Sequence, residues 1–203
     1  MKRVVAPPGY LPPISYMAVF FEQAEIHLLN DSHYQKQTHR NRASIYGANG
    51  KLNLSIPIKH SPSHGRRKDR EVLLANAEPW QKNHWKSIET AYRSSPFFEY
   101  YEAYFYPFYT QKYTHLHTLN TELIQTFFTL IERPKAIKWV DFDPEIHHDC
   151  SHLLTTKGPQ PPTPHYTQVF ENKHGYINNL SAIDLLFNLG PETATYLQNL
   201  VNP

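Results

Sequence analysis

The chain has 203 residues, a formal net charge of +2, a hydrophobic fraction of 40 % and an aromatic fraction of 14 %. This composition excludes a disordered chain, and the mild charge gives no support to a nucleic-acid-binding surface. Cys150 is the single cysteine, which excludes an internal disulfide, and no apolar run is long enough for a signal peptide or a membrane span. These features predict a soluble, cytoplasmic protein.

The first sixty residues have the pattern of a strand, a helix, a second strand and a hairpin. Short apolar segments at residues 2–6 and 25–30 flank a helical segment at residues 14–23. Two strands joined by one helix normally lie parallel and adjacent, so this part of the chain predicts a βαβ unit. Residues 41–46 and 51–58 flank a turn that contains Asn49 and Gly50, which predicts a β-hairpin.

The second half of the chain has mainly helical periodicity. Apolar and aromatic residues recur at helical spacing in three sets: Trp80, His84, Ile88 and Tyr92; Phe97, Tyr101, Tyr104, Phe105 and Phe108; Leu116, Leu119, Leu123, Phe127, Leu130 and Ile131. Residues 157–165 are proline-rich and predict a stiff, extended connection. Residues 181–188 predict a short helix, with Ser181 and Asp184 in a capping-box pattern. The predicted fold is a single α/β domain over residues 1–203, with a mixed sheet, an N-terminal βαβ unit, a hairpin and a largely helical second half.

Residues 33–42, which we call the basic segment, read HYQKQTHRNR and contain no acid. If this segment is extended, alternate side chains share one face: Tyr34, Lys36, Thr38, Arg40 and Arg42. Such a row of cations suits a phosphate or carboxylate group, and it follows the second strand of the βαβ unit, where α/β sheets bind ligands. The alternative interpretation is a solvated edge strand that its cations protect against aggregation.

Other polar residues could belong to the same site. Tyr10 lies in the loop after the first predicted strand, and Lys59 and His60 end the predicted hairpin. His84 lies on the apolar face of its helix, where a buried structural histidine is the main alternative to an acid–base role.

A cluster of metal-ligand residue types lies further along the chain and consists of Asp141, His147, His148, Asp149, Cys150 and His152. Its spacing does not match the paired ligands of zinc sites, so we predict a surface loop without a metal and no nucleophilic role for Cys150. The aromatic residues from Phe97 to Phe108 are more typical of a core than of a sugar-stacking surface.

An ordered set of motifs resembles one family of bacterial proteins. Tyr10-Leu11-Pro12 precedes an aromatic helix and the basic segment leads into a strand, followed by LSIPI, WQKNHWKSIETAYRSSPFFEYYE and QVFENKHGYINNLSAIDLLFNLGPE. This set resembles the WbqC-like protein family and is most similar to its Bacteroidetes-type branch. The resemblance implies an association with surface-polysaccharide (O-antigen) gene clusters, without a defined activity. Many relatives have His-Gln-Pro where this chain has Ala6-Pro7-Pro8, and Trp or Tyr where it has His39, so we interpret His39 as a packing ring.

Two functional hypotheses stay open. The first is a transferase of surface-polysaccharide biosynthesis that acts on an anionic or nucleotide-linked sugar precursor, with proton transfer by Tyr34, His84 or Tyr92. The second is a non-catalytic glycan- or phosphosugar-binding accessory protein. Both use the same anion-binding residues: Tyr10, Lys36, Arg40, Asn41, Arg42 and Lys59. The sequence does not identify a cofactor or an oligomeric state, and its mild charge predicts no nucleic-acid partner. A histidine or carboxylate that faces Arg40 would favour the enzyme.

Overall fold

The computed structural model describes residues 2–60 and 67–201. Its strands are β1 (Arg3–Ala6), β2 (Glu25–Leu29), β3 (Arg42–Gly47), β4 (Gly50–Ser55), β5 (Ala136–Val140) and β6 (His147–Asp149). Its helices are α1 (Ile14–Phe21), α2 (Trp80–Tyr92), α3 (Phe98–Phe105), α4 (Pro107–Thr110), α5 (Leu116–Leu130), α6 (Glu171–His174), α7 (Ala182–Leu189) and α8 (Thr193–Val201). Short 3₁₀ turns lie at Asp69–Glu71, Ser151–Leu154 and Gly190–Glu192.

The main sheet contains four parallel strands in the order β5-β2-β1-β6. Val5 of β1 pairs with His27 of β2, and Ala6 pairs with Leu28, so the predicted βαβ unit is confirmed. Helix α1 connects these strands, and all of its residues except Val19 are buried. Its side chains are mostly apolar, which fits its position against α7, α8 and the 3₁₀ turn at Ser151–Leu154.

The two outer strands of this sheet were not predicted. Strand β5 pairs with β2 over five residue pairs, and β6 pairs with β1 through Arg3, Val4 and Val5. The expectation of a surface loop at residues 141–152 was therefore wrong for His147–Asp149. This strand has the sequence HHD, and only His147 is buried, so no apolar alternation marks it. Backbone pairing to β1 holds it in place.

The predicted hairpin is confirmed as an antiparallel pair of β3 and β4. Gly47 pairs with Gly50, so Ala48 and Asn49 form the turn, and Gly50 has a φ of 96°, which favours glycine. Strand β4 ends earlier than predicted, at Ser55.

Helices α2 and α5 follow the predicted periodicity, and their apolar faces form much of the core. The aromatic segment divides into two groups of side chains. Phe98, Phe105 and Phe108 are buried, whereas Tyr100 and Tyr104 are exposed on α3. The helix α7 was also predicted, but its capping box does not form, since Ser181 makes no side-chain capping bond.

Asp184 instead forms a buried hydrogen-bond network between separate parts of the chain. Its carboxylate accepts a hydrogen bond from the Tyr92 hydroxyl at 2.7 Å and another from the Tyr166 hydroxyl at 2.6 Å. The Tyr92 hydroxyl in turn accepts from the backbone N–H of Tyr46 at 3.2 Å. This network connects α7, α2, β3 and the extended stretch at residues 159–168.

Candidate functional site

A cavity of about 560 Å³ lies at the carboxyl edge of the parallel sheet. Its walls come from the ends of β2, β5 and β6 and from the basic segment: Leu29, Asp31, Ser32, His33, Tyr34, Gln35, Arg40, Phe142, Asp149 and Ser151. Its volume is within the usual range for small-molecule sites.

The strand order explains why a crevice forms at this edge. The chain places β2 and then β5 on one side of β1, and then places β6 on the other side of β1. The loops after the strands therefore diverge around β1, and open α/β sheets bind their ligands at such reversals.

Arg40 is the main cation of this cavity, although only 3 % of its surface is exposed. Its Nε donates a hydrogen bond to Asp69 Oδ2 at 3.1 Å. The same carboxylate oxygen accepts a hydrogen bond from the Ser32 hydroxyl at 2.6 Å. Asp69 therefore anchors the guanidinium to the loop that follows β2, and the buried pair avoids the cost of an isolated charge.

One terminal nitrogen of the same guanidinium has no partner. Within residues 2–60 and 67–201, Nη1 of Arg40 is buried and makes no hydrogen bond. A buried guanidinium N–H without an acceptor is costly. Arg40 is one of the residues that line the cavity, and a guanidinium at a cavity suits a phosphate or carboxylate. This is the feature of the site that points most directly to an anionic ligand.

The backbone around Arg40 is fixed by neighbouring loops. The carbonyl of His39 accepts from the N–H of Tyr10 at 2.7 Å, and the N–H of His39 donates to the carbonyl of Leu154 at 2.7 Å. Gly9 allows this approach, because a Cβ at this position would lie 2.7 Å from a methyl group of Leu154. The Asn120 side chain also donates to the Arg40 carbonyl at 2.7 Å.

The basic segment is not the extended strand that we expected. The Thr38 hydroxyl donates to the carbonyl of Gln35 at 2.8 Å, and Gln37 has a φ of 60°. Side-chain bonds of this kind favour turns over strands. Because of these turns, Lys36 is exposed, Arg40 is buried, and Arg42 is half-buried at the start of β3. The three cations therefore do not form one continuous row.

Tyr34 also lines the cavity, and it is half-buried. The Arg67 guanidinium carbon lies 5.7 Å from the centre of its ring. Burial is the largest cause that raises the pKa of Tyr34 to about 12, so its hydroxyl keeps its proton at neutral pH. It can donate a hydrogen bond to a bound ligand.

Tyr10 and His84 meet in the interior and are not among the residues that line the cavity. The Tyr10 hydroxyl lies 2.9 Å from His84 Nδ1 and 3.0 Å from the Tyr109 hydroxyl. Burial lowers the pKa of His84 to about 4, so its ring is neutral near pH 7. Tyr92 is likewise enclosed, with its hydroxyl bound to Asp184.

The remaining predicted site residues do not line the cavity. The Asn41 side chain donates to the carbonyl of Ile56 at 3.0 Å and supports the hairpin. Lys59 is exposed, and its carbonyl accepts from Arg67 at 3.0 Å. The sequence also predicts a polar, basic loop at residues 60–70, and residues 61–66 of this loop lie outside the described residues.

The structure adds residues that the sequence interpretation did not include. Ser32 lies in the loop that follows β2, Asp149 is the last residue of β6, and Ser151 lies just after it. Asp149 Oδ1 accepts hydrogen bonds from the Ser151 backbone N–H at 2.8 Å and from its hydroxyl at 2.5 Å. The position of Ser32 after a predicted strand is a signal for a site residue, whereas in the sequence Asp149 belongs only to the cluster of metal-ligand residue types.

In the part of the chain that the structure describes, no group of three His, Cys, Asp or Glu side chains is arranged to hold a metal ion. Cys150 is buried, and burial raises the pKa of its thiol to about 11. No helix in this part is both long and apolar enough to span a membrane.

Comparisons with known proteins agree with the resemblance seen in the sequence. A sequence model of the WbqC-like protein family matches residues 7–141. The chain is also similar to the uncharacterised protein Rv1507c of Mycobacterium tuberculosis, with 24 % identity over 98 % of each chain. No solved structure matches the chain.

Proposed function

Because this chain belongs to the WbqC-like protein family, we propose that it acts as a transferase on an anionic or nucleotide-linked sugar precursor in bacterial surface-polysaccharide biosynthesis. The observation that carries the proposal is Arg40, a buried arginine that lines the cavity at the carboxyl edge of the sheet and whose Nη1 has no partner among the described residues. The polysaccharide context comes from what the family resemblance implies.

The proposal assigns separate tasks to the nitrogens of Arg40. Nε binds Asp69 and fixes the orientation of the guanidinium, while a terminal nitrogen binds the anionic group of the ligand. A planar guanidinium can perform both tasks at once, whereas a lysine ammonium acts as a single point charge. Tyr34 adds a hydroxyl group that can donate to a phosphate or a sugar. The hydroxyls of Ser32 and Ser151 also belong to the cavity lining, but they donate to Asp69 and Asp149 and can only accept from a sugar hydroxyl.

Carboxylates near Arg40 favour the enzyme over the accessory protein. Asp69 contacts Arg40 directly, and Asp149 lines the same cavity as a base that could accept a proton. The burial of His84 and Tyr92 away from the cavity favours the alternative, a non-catalytic phosphosugar-binding protein, because it leaves few proton carriers beside a ligand.

The test of anion binding compares Arg40→Lys with Arg42→Lys, which makes the same substitution at a residue that does not line the cavity. We expect Arg40→Lys to keep a charge beside Asp69 but to weaken phosphosugar binding by roughly 1.5–3 kcal/mol, about ten- to over a hundredfold. Arg42→Lys should bind as the native chain does. Isothermal titration with a panel of sugar phosphates and nucleotide sugars measures both. Equal affinities of the two variants for every ligand would contradict the proposal.

A thermal-shift screen separates the transferase from the accessory protein. Ligands that bind only the folded chain raise its melting temperature. A transferase should be stabilised by the sugar precursor and further by a second substrate, such as an acyl donor, with Arg40→Lys losing the first shift. Stabilisation by sugars alone would favour the accessory protein.

A further inference from the structure

The cavity carries charges of both signs. Arg40 supplies a guanidinium, while Asp31 and Asp149 supply carboxylates to the same walls. Carboxylates near a bound phosphate repel it, so a wall built only for an anion gains nothing from them. A ligand that carries a cation as well as an anion would match both signs.

The two carboxylates differ in what already binds them. Asp31 accepts a hydrogen bond from Lys68 Nζ at 2.6 Å, and half of its side chain is exposed. Asp149 makes no ion pair within residues 2–60 and 67–201, and the hydrogen bonds that its side chain makes there all use Oδ1. Asp149 therefore keeps one carboxylate oxygen for a ligand.

The backbone holds Asp149 in place for this role. It is the last residue of β6 and pairs with Val5 of β1, and its two bonds to Ser151 fix the direction of the carboxylate. Arg40 is fixed in the same way by Asp69. A fixed carboxylate and a fixed guanidinium that line one cavity suit a ligand that carries charges of both signs.

We infer that the ligand is an amino sugar that bears a phosphate group, with the phosphate on Arg40 and the ammonium on Asp149. This inference rests on the proposed function, because it names the substrate class of the same cavity. The ring of Phe142, which is 48 % exposed and lines the cavity, offers an apolar surface for one face of the sugar.

The test uses glucosamine 6-phosphate and glucose 6-phosphate, which differ only in that an amino group replaces the 2-hydroxyl in the former. Isothermal titration should show that the native chain binds the amino sugar about tenfold or more tightly, the range of one charge-assisted contact. Asp149→Asn keeps an acceptor for Ser151 and should remove this preference, while glucose 6-phosphate binds at least as well as before. Asp143→Asn is the matched control, because it removes the same charge at a residue outside the cavity wall.

The outcomes separate the two proposals. Equal binding of both sugars, or a preference that Asp149→Asn leaves intact, would overturn the inference while the anion site stands. If neither sugar binds, or if Arg40→Lys leaves the affinity unchanged, the proposed function is wrong together with the inference. Binding of glucosamine that matches glucosamine 6-phosphate would also count against it, because the phosphate would then add nothing.

Discussion

Two regions of the molecule bury a charged side chain, and they differ in how completely that charge is satisfied. Both carboxylate oxygens of Asp184 accept a tyrosine hydroxyl, and the Asn188 side chain lies 3.4 Å from one of them. The Nε of Arg40 donates a hydrogen bond to Asp69, while its Nη1 has no partner among the described residues.

The difference separates a structural group from a binding group. A buried charge whose hydrogen bonds are complete holds parts of the fold together and has nothing left to offer a ligand. A buried charged group with an unsatisfied hydrogen-bond donor is destabilised, and a ligand that accepts the hydrogen bond can remove this cost. Asp184 therefore belongs to the architecture, and Arg40 is the candidate for binding.

The largest expected effect is on stability at Arg40. Arg40→Ala leaves Asp69 buried without its cation, which should lower the free energy of unfolding by about 3–5 kcal/mol. Urea denaturation followed by circular dichroism measures this loss. The double variant Arg40→Met/Asp69→Asn removes both charges and should recover much of it. A loss well under about 1 kcal/mol in the single variant would mean that the pair is effectively solvated.

A second prediction concerns the pH dependence of stability at Asp184. Burial raises the pKa of Asp184 to about 6, so between about pH 4 and pH 6 the folded chain holds a proton that the unfolded chain releases. This group therefore lowers the free energy of unfolding by about 1.4 kcal/mol for each pH unit gained in that interval, or roughly 3 kcal/mol in all.

The titration of His39 and His84 has the opposite effect on the free energy of unfolding. Burial lowers both pKa values to about 4, so their contribution to stability grows as the pH rises from about 4 towards 6.5. Asp184→Asn removes only the opposing contribution, and its stability should rise more steeply with pH than that of the native chain. Urea midpoints at pH 4, 5, 6 and 7 measure the difference, and parallel profiles would show that Asp184 does not titrate in this range.

The third effect separates the two regions directly. Tyr166→Phe removes the hydroxyl that binds Asp184 Oδ2 at 2.6 Å and should cost about 1.5–3 kcal/mol, because the acceptor is charged and buried. Phosphosugar binding should be unchanged. Tyr196→Phe is the matched control, since its hydroxyl binds the neutral carbonyl of Pro164 near the surface. A change in ligand affinity for Tyr166→Phe would show that the two regions are coupled.

The sequence predicted those parts of the fold that apolar periodicity encodes. The βαβ unit, the hairpin and helices α2 and α5 bury regular faces, and the pattern of apolar residues marks them. Strand β6 is not predicted by this pattern, because its residues His147, His148 and Asp149 are all polar. Its position depends on backbone pairing with a strand more than a hundred residues earlier in the chain.

The candidate site was predictable in part for similar reasons. The concentration of charge singled out the basic segment, and Arg40 and Tyr34 do line the cavity. The partner of Arg40 is Asp69, which lies on a different loop, and no local pattern connects the two. The turns around Thr38 depend on side-chain bonds that period-two reasoning ignores.

The smallest expected effect is at His39, which lies beside Arg40 in the sequence but is not among the cavity-lining residues. Its ring is buried, and Nδ1 lies 3.1 Å from the carbonyl of Arg42. His39→Tyr should lose this bond at a cost of about 1 kcal/mol and leave phosphosugar affinity within about twofold, since the backbone that positions Arg40 is kept. Because a tyrosine does not titrate between pH 4 and 6.5, the variant should also lose part of the rise in stability over that interval. Titration and urea denaturation on the same preparation measure both. A loss of affinity as large as that of Arg40→Lys would mean that the ring of His39 contributes to the anion site. The assignment of His39 to packing and of Arg40 to ligand binding would then be wrong.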